Sequence, residues 1–270
     1  MKKLIELFKN SPSKKGMNRN LENLIDRNFL IPIEEFSEKD IFIVGYPKSG
    51  NTWMQSLISG LVFGISTEYL PESLAQELVP DVHARTYYKR FSEINFFKSH
   101  NLPDERYRRV IYLVRDGRDV MVSYENYLKI INKETSMKDM ITEGKNLFPC
   151  KWGFHVREWM KNPYHSDMMI IRYEDLLEDP INELKKVCEF AKIERDEFLI
   201  QKIVEGCHIE KMRERVSNSK GMAHKDLKGE KGVLFFNQGK SKSYQDKFEK
   251  DLLEYFETES KNELELFNYV

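Results

Sequence analysis

The chain has 270 residues, of which 40% are hydrophobic and 32% are charged, and its formal net charge at pH 7 is −1. This balance argues against a nucleic-acid-binding or polybasic membrane protein, and the length suffices for one large core or two small ones. The three cysteines lie far apart without a C-x-x-C pair, which disfavours a disulfide framework or structural zinc site and favours a reducing compartment.

Long apolar segments are missing from the sequence. The first ten residues, MKKLIELFKN, contain only a short apolar run, broken by Glu6, and this falls short of a signal peptide. No stretch approaches the ~18 apolar residues that a membrane-spanning helix needs. We therefore expect a cytoplasmic protein that does not insert into membranes.

Short apolar runs alternate with helical patterns after a polar, helix-prone segment, residues 1–37, which we expect to form an N-terminal arm packed on the core. The predicted strands are Ile41–Tyr46, Ile94–His100, Arg109–Arg115 and Met168–Leu176. The predicted helices run from Thr52 to Phe63, from about Asp116 onward, and from Asp179-Pro180 to about Ala191.

This alternation predicts an α/β fold, a single domain over residues 1–270 with a central parallel sheet and helices on both faces. In such sheets ligands bind beyond the carboxyl ends of the strands. Gly45–Asn51, His100, Arg115 and Tyr173 each follow or end a predicted strand. We therefore expect them to gather along one edge of the sheet.

The segment FIVGYPKSGNTW, residues 42–53, looks like a phosphate-binding loop with a displaced lysine. A P-loop carries its lysine directly after the second glycine, but Asn51 occupies that position and Lys48 lies inside the loop. A loop that leads from a strand into a helix directs unpaired N–H groups and a positive dipole end at an anion. The side chains of Asn51 and Thr52 can add hydrogen bonds. The glycine spacing alone also fits an ordinary strand–turn–helix connection.

This string resembles the nucleotide loop of the cytosolic sulfotransferases and their bacterial relatives, Y-P-K-S-G-T-T-W, and differs from it only at Asn51. Further segments are similar to that family in the same order: KSH (98–100), YLVRDGRDVMVSY (112–124) and RYEDL (172–176). The resemblance covers most of the chain. It implies transfer of a sulfuryl group from 3′-phosphoadenosine 5′-phosphosulfate (PAPS) to a hydroxyl or amine of a small molecule, with no metal required.

The resemblance implies catalytic roles for Lys48, His100 and Lys98. Lys48 would stabilise the bridging oxygen, where negative charge develops as the S–O bond breaks. His100, at the end of a predicted strand beside Lys98, would be the general base that takes the acceptor's proton.

The resemblance also implies a nucleotide site. Arg115 and Ser123 can reach one anion if the helix begins near Asp116, and by resemblance this anion is the 3′-phosphate. An ion pair of Arg115 with Asp116 or Asp119 is the alternative. Trp53 would stack on the adenine, although a tryptophan there is also an ordinary core residue. The predicted cofactor-binding set is Lys48, Ser49, Gly50, Asn51, Thr52, Trp53, Arg115, Ser123, Tyr173 and Gly239.

The family's third nucleotide segment, roughly R-K-G-x-x-G-D-W-K, is altered in this chain. Its best match is FFNQGKSKSYQ, residues 235–245, where Asn237 and Gln238 replace the arginine and lysine while Gly239 remains. We expect weaker donor binding than in relatives and a mobile loop over about residues 221–244, with a solvated loop as the alternative. The dimerisation signature of some relatives is absent, and the oligomeric state is left open.

Two other functions stay open. A P-loop nucleotide kinase or hydrolase is disfavoured by the displaced lysine and by the lack of a clear strand ending in a Walker-B aspartate. A non-catalytic nucleotide-binding relative is suggested by the altered third segment. The acceptor site is not assigned, because the aromatic residues flanking the strands suit a small phenol or alcohol but also a plain core. They are Tyr69, Tyr87, Tyr88, Phe91, Phe148, Trp152 and Phe154.

Overall fold

The computed structural model describes residues 30–133, 135–208, 210–212 and 242–270. The strands within these ranges are β1 (Ile31–Pro32), β2 (Ile41–Gly45), β3 (Tyr87–Tyr88), β4 (Phe96–Ser99), β5 (Arg109–Val114) and β6 (Asp167–Arg172). Most of the predicted N-terminal arm lies outside the described residues. So do Gly239 and most of the predicted mobile loop, and both remain predictions.

The central sheet has the strand order β4-β2-β5-β6, and every neighbouring pair is parallel. All five residues of β2 are buried, as expected for a continuous apolar run between two neighbours. Val44 pairs with Ser99 and Gly45 with Leu113, so β2, β4 and β5 end at the same edge. Strands β1 and β3 form a separate antiparallel pair.

Helices cover both faces of the sheet, as predicted. They are α1 (Asn51–Phe63), α2 (Glu72–Leu78), α3 (Gly117–Ile130), α4 (Met137–Glu143), α5 (Trp152–Lys161), α6 (Tyr173–Glu178), α7 (Pro180–Ala191), α8 (Glu197–Gly206), α9 (Lys250–Glu259) and α10 (Lys261–Leu266). Alternate residues of β2 face opposite cores. Phe42 lies in the same cluster as Val120 of α3, whereas Ile43 lies with Leu57 of α1 and Leu184 of α7.

Two helix starts follow the chemistry expected of their sequences. The Asp116 carboxylate accepts a hydrogen bond from the Arg118 backbone N–H at 2.9 Å and caps α3. The Asp179 carboxylate caps α7 in the same way, and Pro180 occupies the first turn, where its missing N–H has no intrahelical partner to lose.

The last predicted strand was too long. β6 ends at Arg172, and the following residues form α6 instead. Glu174 and Asp175 lie in the first turn of that helix, where carboxylates interact favourably with the helix dipole. The second predicted strand also begins later, at Phe96, because the Asn95 backbone N–H donates to the Asp40 side chain.

The described helices include none that is long and apolar enough to cross a bilayer. All three cysteines are free thiols. Cys188 and Cys207 are buried, whereas Cys150 is partly exposed.

Asp40 ties together the end of the sheet opposite the strands' carboxyl ends. Its fully buried carboxylate accepts hydrogen bonds from the backbone N–H groups of Ser37, at 2.7 Å, and Asn95, at 2.9 Å. It also accepts two bonds from the Arg90 guanidinium, at 2.9 and 2.7 Å. The carboxylate therefore joins the turn before β2 to the segment before β4.

We predict that Asp40→Asn lowers the free energy of unfolding by about 1.5 to 3 kcal/mol, because the amide accepts fewer hydrogen bonds and leaves the Arg90 charge without its carboxylate. Urea titration followed by circular dichroism measures the change. The control is Glu93→Gln, which removes the exposed carboxylate bound to Lys39 and should leave the midpoint unchanged. Equal effects of the two substitutions would contradict this role of Asp40.

Candidate active site

The carboxyl ends of β2, β4 and β5 open onto a cavity of about 520 Å³. Most of the predicted site residues line this cavity, as the sheet topology requires: Lys48, Gly50, Asn51, Thr52, Trp53, Lys98, His100, Arg115, Ser123 and Tyr173. Two predicted residues do not join them. Ser49 is buried outside the lining, and Gly239 lies beyond the described residues.

The loop between β2 and α1 depends on two left-handed backbone positions. Lys48 has φ 75° and Gly50 has φ 100°. A Cβ at Gly50 would lie 2.8 Å from the Tyr173 ring, so both the conformation and the close approach require glycine there. Because Gly50 is the N-cap of α1 and has no side chain, the first N–H groups of the helix are open to an anion.

The Asn51 side chain is hydrogen-bonded to the backbone of the loop. Its side-chain amide donates to the carbonyls of Gly45, at 3.3 Å, and Tyr46, at 3.1 Å. The amide that was expected to bind an anion is therefore engaged within the loop. Contact of Asn51 with a nucleotide stays a prediction.

His100 follows the last residue of β4, and its ring donates a hydrogen bond to the start of the nucleotide loop. Its Nδ1 lies 2.7 Å from the Gly45 carbonyl oxygen. Because that carbonyl can only accept, Nδ1 carries the proton and Nε2 keeps its lone pair. Burial, together with the nearby Lys98 charge, lowers the pKa of His100 to about 3, so the imidazole is neutral at neutral pH.

Lys98 is anchored by a carboxylate that the sequence analysis missed. Its Nζ lies 2.9 Å from Asp81 Oδ2, and both side chains are almost fully buried. Burial disfavours the charged form of Asp81, but the charge and hydrogen bond of Lys98, together with His100 and the His83 N–H, outweigh it, so the pKa of Asp81 is below its usual range. The Asp81 carboxylate therefore stays ionised beside Lys98.

Lys48 reaches the same cavity from the loop. Its Nζ lies 5.0 Å from the centre of the Tyr127 ring, within range of a cation–π interaction. Burial lowers the pKa of Lys48 to about 7, and the charges of Arg115 and Lys98 contribute. An anion that enters the site should raise the pKa of Lys48, because it favours the charged ammonium.

Arg115 connects the loop to the start of α3. Its Nη1 donates to the Lys48 carbonyl at 3.1 Å, and its guanidinium lies 4.3 Å from the centre of the Tyr173 ring. Buried Ser123 lines the same cavity from α3. Arg115 and Ser123 therefore line one cavity, and their binding of a common anion stays a prediction.

The sequence left open an ion pair of Arg115 with Asp116 or Asp119, and both carboxylates bind other donors. Asp116 binds the Arg118 guanidinium at 2.7 Å. Asp119 accepts hydrogen bonds from the Lys242 N–H, the Ser243 hydroxyl and the Tyr244 N–H, at 2.7 to 3.1 Å. The ion pair at the start of α3 is thus formed by Arg118 and Asp116.

Trp53 and Tyr173 form one wall of the cavity. Their rings meet edge to face, with centroids 5.9 Å apart. Trp53 is half-buried, so it is neither a plain core residue nor a fully exposed one. Stacking on an adenine stays a prediction.

The end of the cavity near His100 was not predicted. Among the unassigned aromatic residues Phe148 lines it, whereas Tyr88 and Trp152 are buried in the core. The other unpredicted lining residues of the cavity include Asp81, His83, Ala84, Tyr124, Tyr127, Leu128, Ile131, Lys133 and Asn146. The motif D-x-H at 81–83 was visible in the sequence, but nothing local connects it to Lys98 or His100.

Positive charge dominates the cavity. Among its described lining residues Lys48, Lys98, Arg115 and Lys133 are cationic, and Asp81 is the single carboxylate. Such a site suits an anionic ligand. Within the described ranges no three His, Cys, Asp or Glu side chains are grouped so as to hold a metal ion.

Proteins of known structure share this fold. The structure of mouse sulfotransferase SULT7A1 complexed with PAP matches with a TM-score of 0.62 and 22% identity, over 83% of each chain. Retinol dehydratase in complex with androsterone and the inactive cofactor PAP matches with a TM-score of 0.61 and 20% identity, over 85% of this chain and 82% of that one. These likenesses confirm the predicted α/β fold.

Similarity in sequence extends over most of the chain. Flavonol 3-sulfotransferase of Flaveria bidentis is 24% identical over 80% of this chain and 78% of its own length. Sulfotransferase 1E1 of Rattus norvegicus is 26% identical over 83% of this chain and 84% of its own length. The family model described as the sulfotransferase domain matches residues 38–268. The chain therefore belongs to the sulfotransferase domain family.

Proposed function

We propose that the chain transfers a sulfuryl group from PAPS to a hydroxyl or amine of a small acceptor, with His100 as the general base. The observation that supports this proposal is that one cavity contains three groups: Nε2 of the neutral His100 ring, the Lys48 side chain and the uncapped N-terminus of α1. Membership of the sulfotransferase family supplies the class of reaction. The cytoplasmic location expected from the sequence stays a prediction.

The donor's phosphates would bind at the start of α1 and beside Arg115. The N–H groups at the start of α1 and the hydroxyl of Thr52 would bind the 5′-phosphate. Arg115, with its planar fork, and Ser123 would bind the 3′-phosphate, which distinguishes PAPS from ATP. Trp53 and Tyr173 would contact the adenine.

In the proposed reaction, the acceptor oxygen attacks sulfur while His100 Nε2 takes the hydroxyl proton. The bond between sulfur and the bridging oxygen breaks, and its electron pair goes to the 5′-phosphate. Lys48 stabilises the charge that develops there, and Lys98 adds positive potential. The products are a sulfate ester and 3′-phosphoadenosine 5′-phosphate (PAP), after which His100 returns its proton to solvent. The protein's contribution is positioning and charge stabilisation, as in phosphoryl transfer.

The acceptor would lie between His100 and the apolar side chains at the unpredicted end of the cavity. Tyr124, Tyr127, Leu128 and Phe148 offer flat and aliphatic surface there. Relatives are named for a flavonol and, among the solved structures, for retinol. A screen of phenols, alcohols, amines and sugars with labelled donor would identify the acceptor.

We predict that PAP raises the thermal unfolding midpoint without magnesium. Ligand at a hundred times its Kd should add about 2.7 kcal/mol of stability. AMP, which lacks the 3′-phosphate that Arg115 would bind, should shift the midpoint much less at equal concentration. A larger shift with Mg-ATP than with PAP would contradict the proposal and favour a kinase or hydrolase.

We predict that His100→Ala lowers kcat by ~10² to 10⁴ because the acceptor loses its general base. The PAP-induced thermal shift should stay nearly intact, since His100 would contact the acceptor and not the nucleotide. The control is His165→Asn, an exposed position with a left-handed backbone that asparagine tolerates. Unchanged turnover in His100→Ala would exclude its role as base, and absence of turnover in the unmodified chain with every acceptor class would favour a non-catalytic relative.

We predict that kcat/KM falls on the alkaline side with an apparent pKa of about 7, because this parameter reports the free enzyme and Lys48 must be protonated to act. The acid limb should lie near the low pKa of His100. In the pH profile of kcat the alkaline limb should move upward, since the bound donor's negative charge favours the Lys48 ammonium.

The matched variant is Lys48→Arg, whose guanidinium stays charged across this range. It should abolish the alkaline limb even where its absolute rate is lower. The profile requires an acceptor that does not itself ionise between roughly pH 5 and 9. An identical alkaline limb in the variant would assign the titration to another group.

A further inference from the structure

A short segment, Pro80–His83, lies next to β4 and contacts the proposed base. We name this segment the base strap. The Lys98 N–H donates to the Pro80 carbonyl at 2.9 Å, and the Val82 N–H donates to the Lys98 carbonyl at 3.0 Å. Asp81 and Lys98 thus form a parallel bridge. The strap extends the sheet beyond β4 at the level where the strand delivers His100.

His83, the last residue of the base strap, contacts His100 in two ways. Its Nε2 accepts the His100 backbone N–H at 3.1 Å. Its ring lies nearly parallel to the His100 ring, with centroids 5.8 Å apart and planes 13° apart. Because β4 ends at Ser99, this imidazole satisfies a backbone donor that has left the sheet.

Neighbouring groups hold His83 in place and in one protonation state. The Asp81 Oδ1 accepts the His83 backbone N–H at 2.9 Å, while Oδ2 binds Lys98. Phe148 meets the His83 ring edge to face, 5.1 Å away. Since Nε2 accepts a hydrogen bond, the neutral ring carries its proton on Nδ1. Burial lowers the pKa of His83 and favours this neutral form.

We propose that His83 is a positioning residue for the general base, which fixes the backbone and ring of His100 so that Nε2 meets the acceptor hydroxyl. The inference rests on the proposed function and names a residue that acts through His100. Two residues restrain the base: Gly45 accepts a hydrogen bond from its Nδ1, and His83 accepts its backbone N–H and stacks against its ring.

Removing the His83 contact should reduce kcat much more than it weakens donor binding. A displacement of about 1 Å at a reacting group can cost ~10²-fold in rate. His83 contacts His100 and Phe148, whereas Arg115 contacts the Lys48 carbonyl and the Tyr173 ring. A loss confined to kcat therefore separates positioning of the base from a general structural effect.

The test compares His83→Gln, His83→Asn and His83→Leu. The glutamine amide oxygen lies at about the same reach as Nε2 and can accept the His100 N–H. The asparagine side chain has the same chemistry but is one methylene too short, and leucine cannot accept. We expect His83→Gln to keep kcat within about threefold, and the other two to lose about 10- to 100-fold, with the PAP-induced thermal shift unchanged in all three.

A second measurement does not depend on activity. Amide hydrogen exchange followed by NMR on the PAP-bound protein should find the His100 amide protected in the unmodified chain and in His83→Gln. Protection should fall in His83→Asn. Equal protection in both variants, or equal kcat in all three, would overturn the inference.

The same experiments separate this inference from the proposed function. If His100→Ala loses turnover while the His83 variants do not, the positioning role fails and the sulfotransferase mechanism stands. If His83→Leu raises only the KM of the acceptor, His83 contacts the acceptor and does not position the base, which also overturns the inference. If the unmodified chain lacks turnover, the proposed function fails, and amide exchange still decides how His83 holds His100.

Discussion

The hydrogen bond between His100 Nδ1 and the Gly45 carbonyl, 2.7 Å long, joins the two segments on which the proposed chemistry depends. It follows from the register of the sheet, since Val44 pairs with Ser99 and each strand contributes its next residue to the bond. Gly45 allows no larger residue, because a Cβ there would lie 2.7 Å from Asn51 Oδ1 and 2.8 Å from the Leu113 carbonyl oxygen. A rigid sheet thus sets both the start of the loop and the tautomer of the base.

Crowded positive charge is the second constraint, and it explains the low pKa of Lys48. Burial removes water from the ammonium, and the neighbouring cations Arg115 and Lys98 disfavour its protonated form further. Asp81 relieves this for Lys98 through a direct ion pair. A dianionic ligand would favour the charged form of Lys48, so its entry should raise the pKa of this side chain.

The features that depend on local sequence pattern could be predicted from the sequence. Continuous apolar runs located β2 and β5 to within one residue, and the edge where Lys48, His100 and Arg115 meet followed from a parallel sheet. The strand order and the base strap did not follow, because His83 and His100 are 17 residues apart and meet through an isolated bridge rather than a patterned strand. Ser49 does not line the cavity, because a loop motif identifies the segment but does not say which side chains face the cavity, and its contact with a nucleotide stays a prediction.

The displaced lysine follows from the structure of the loop. In a nucleoside triphosphatase loop the lysine comes directly after the second glycine, but here that position holds Asn51, buried and bonded to the carbonyls of Gly45 and Tyr46. A long cationic side chain could not make those contacts, so the cation has to come from elsewhere. Lys48 supplies it from the turn, where its left-handed backbone, φ 75°, is restrained by the Arg115 bond to its carbonyl. In the proposed reaction one cation beside the bridging oxygen would replace a metal clamp, because the donor has a single 5′-phosphate and the transferred sulfuryl group carries less charge than a phosphoryl group.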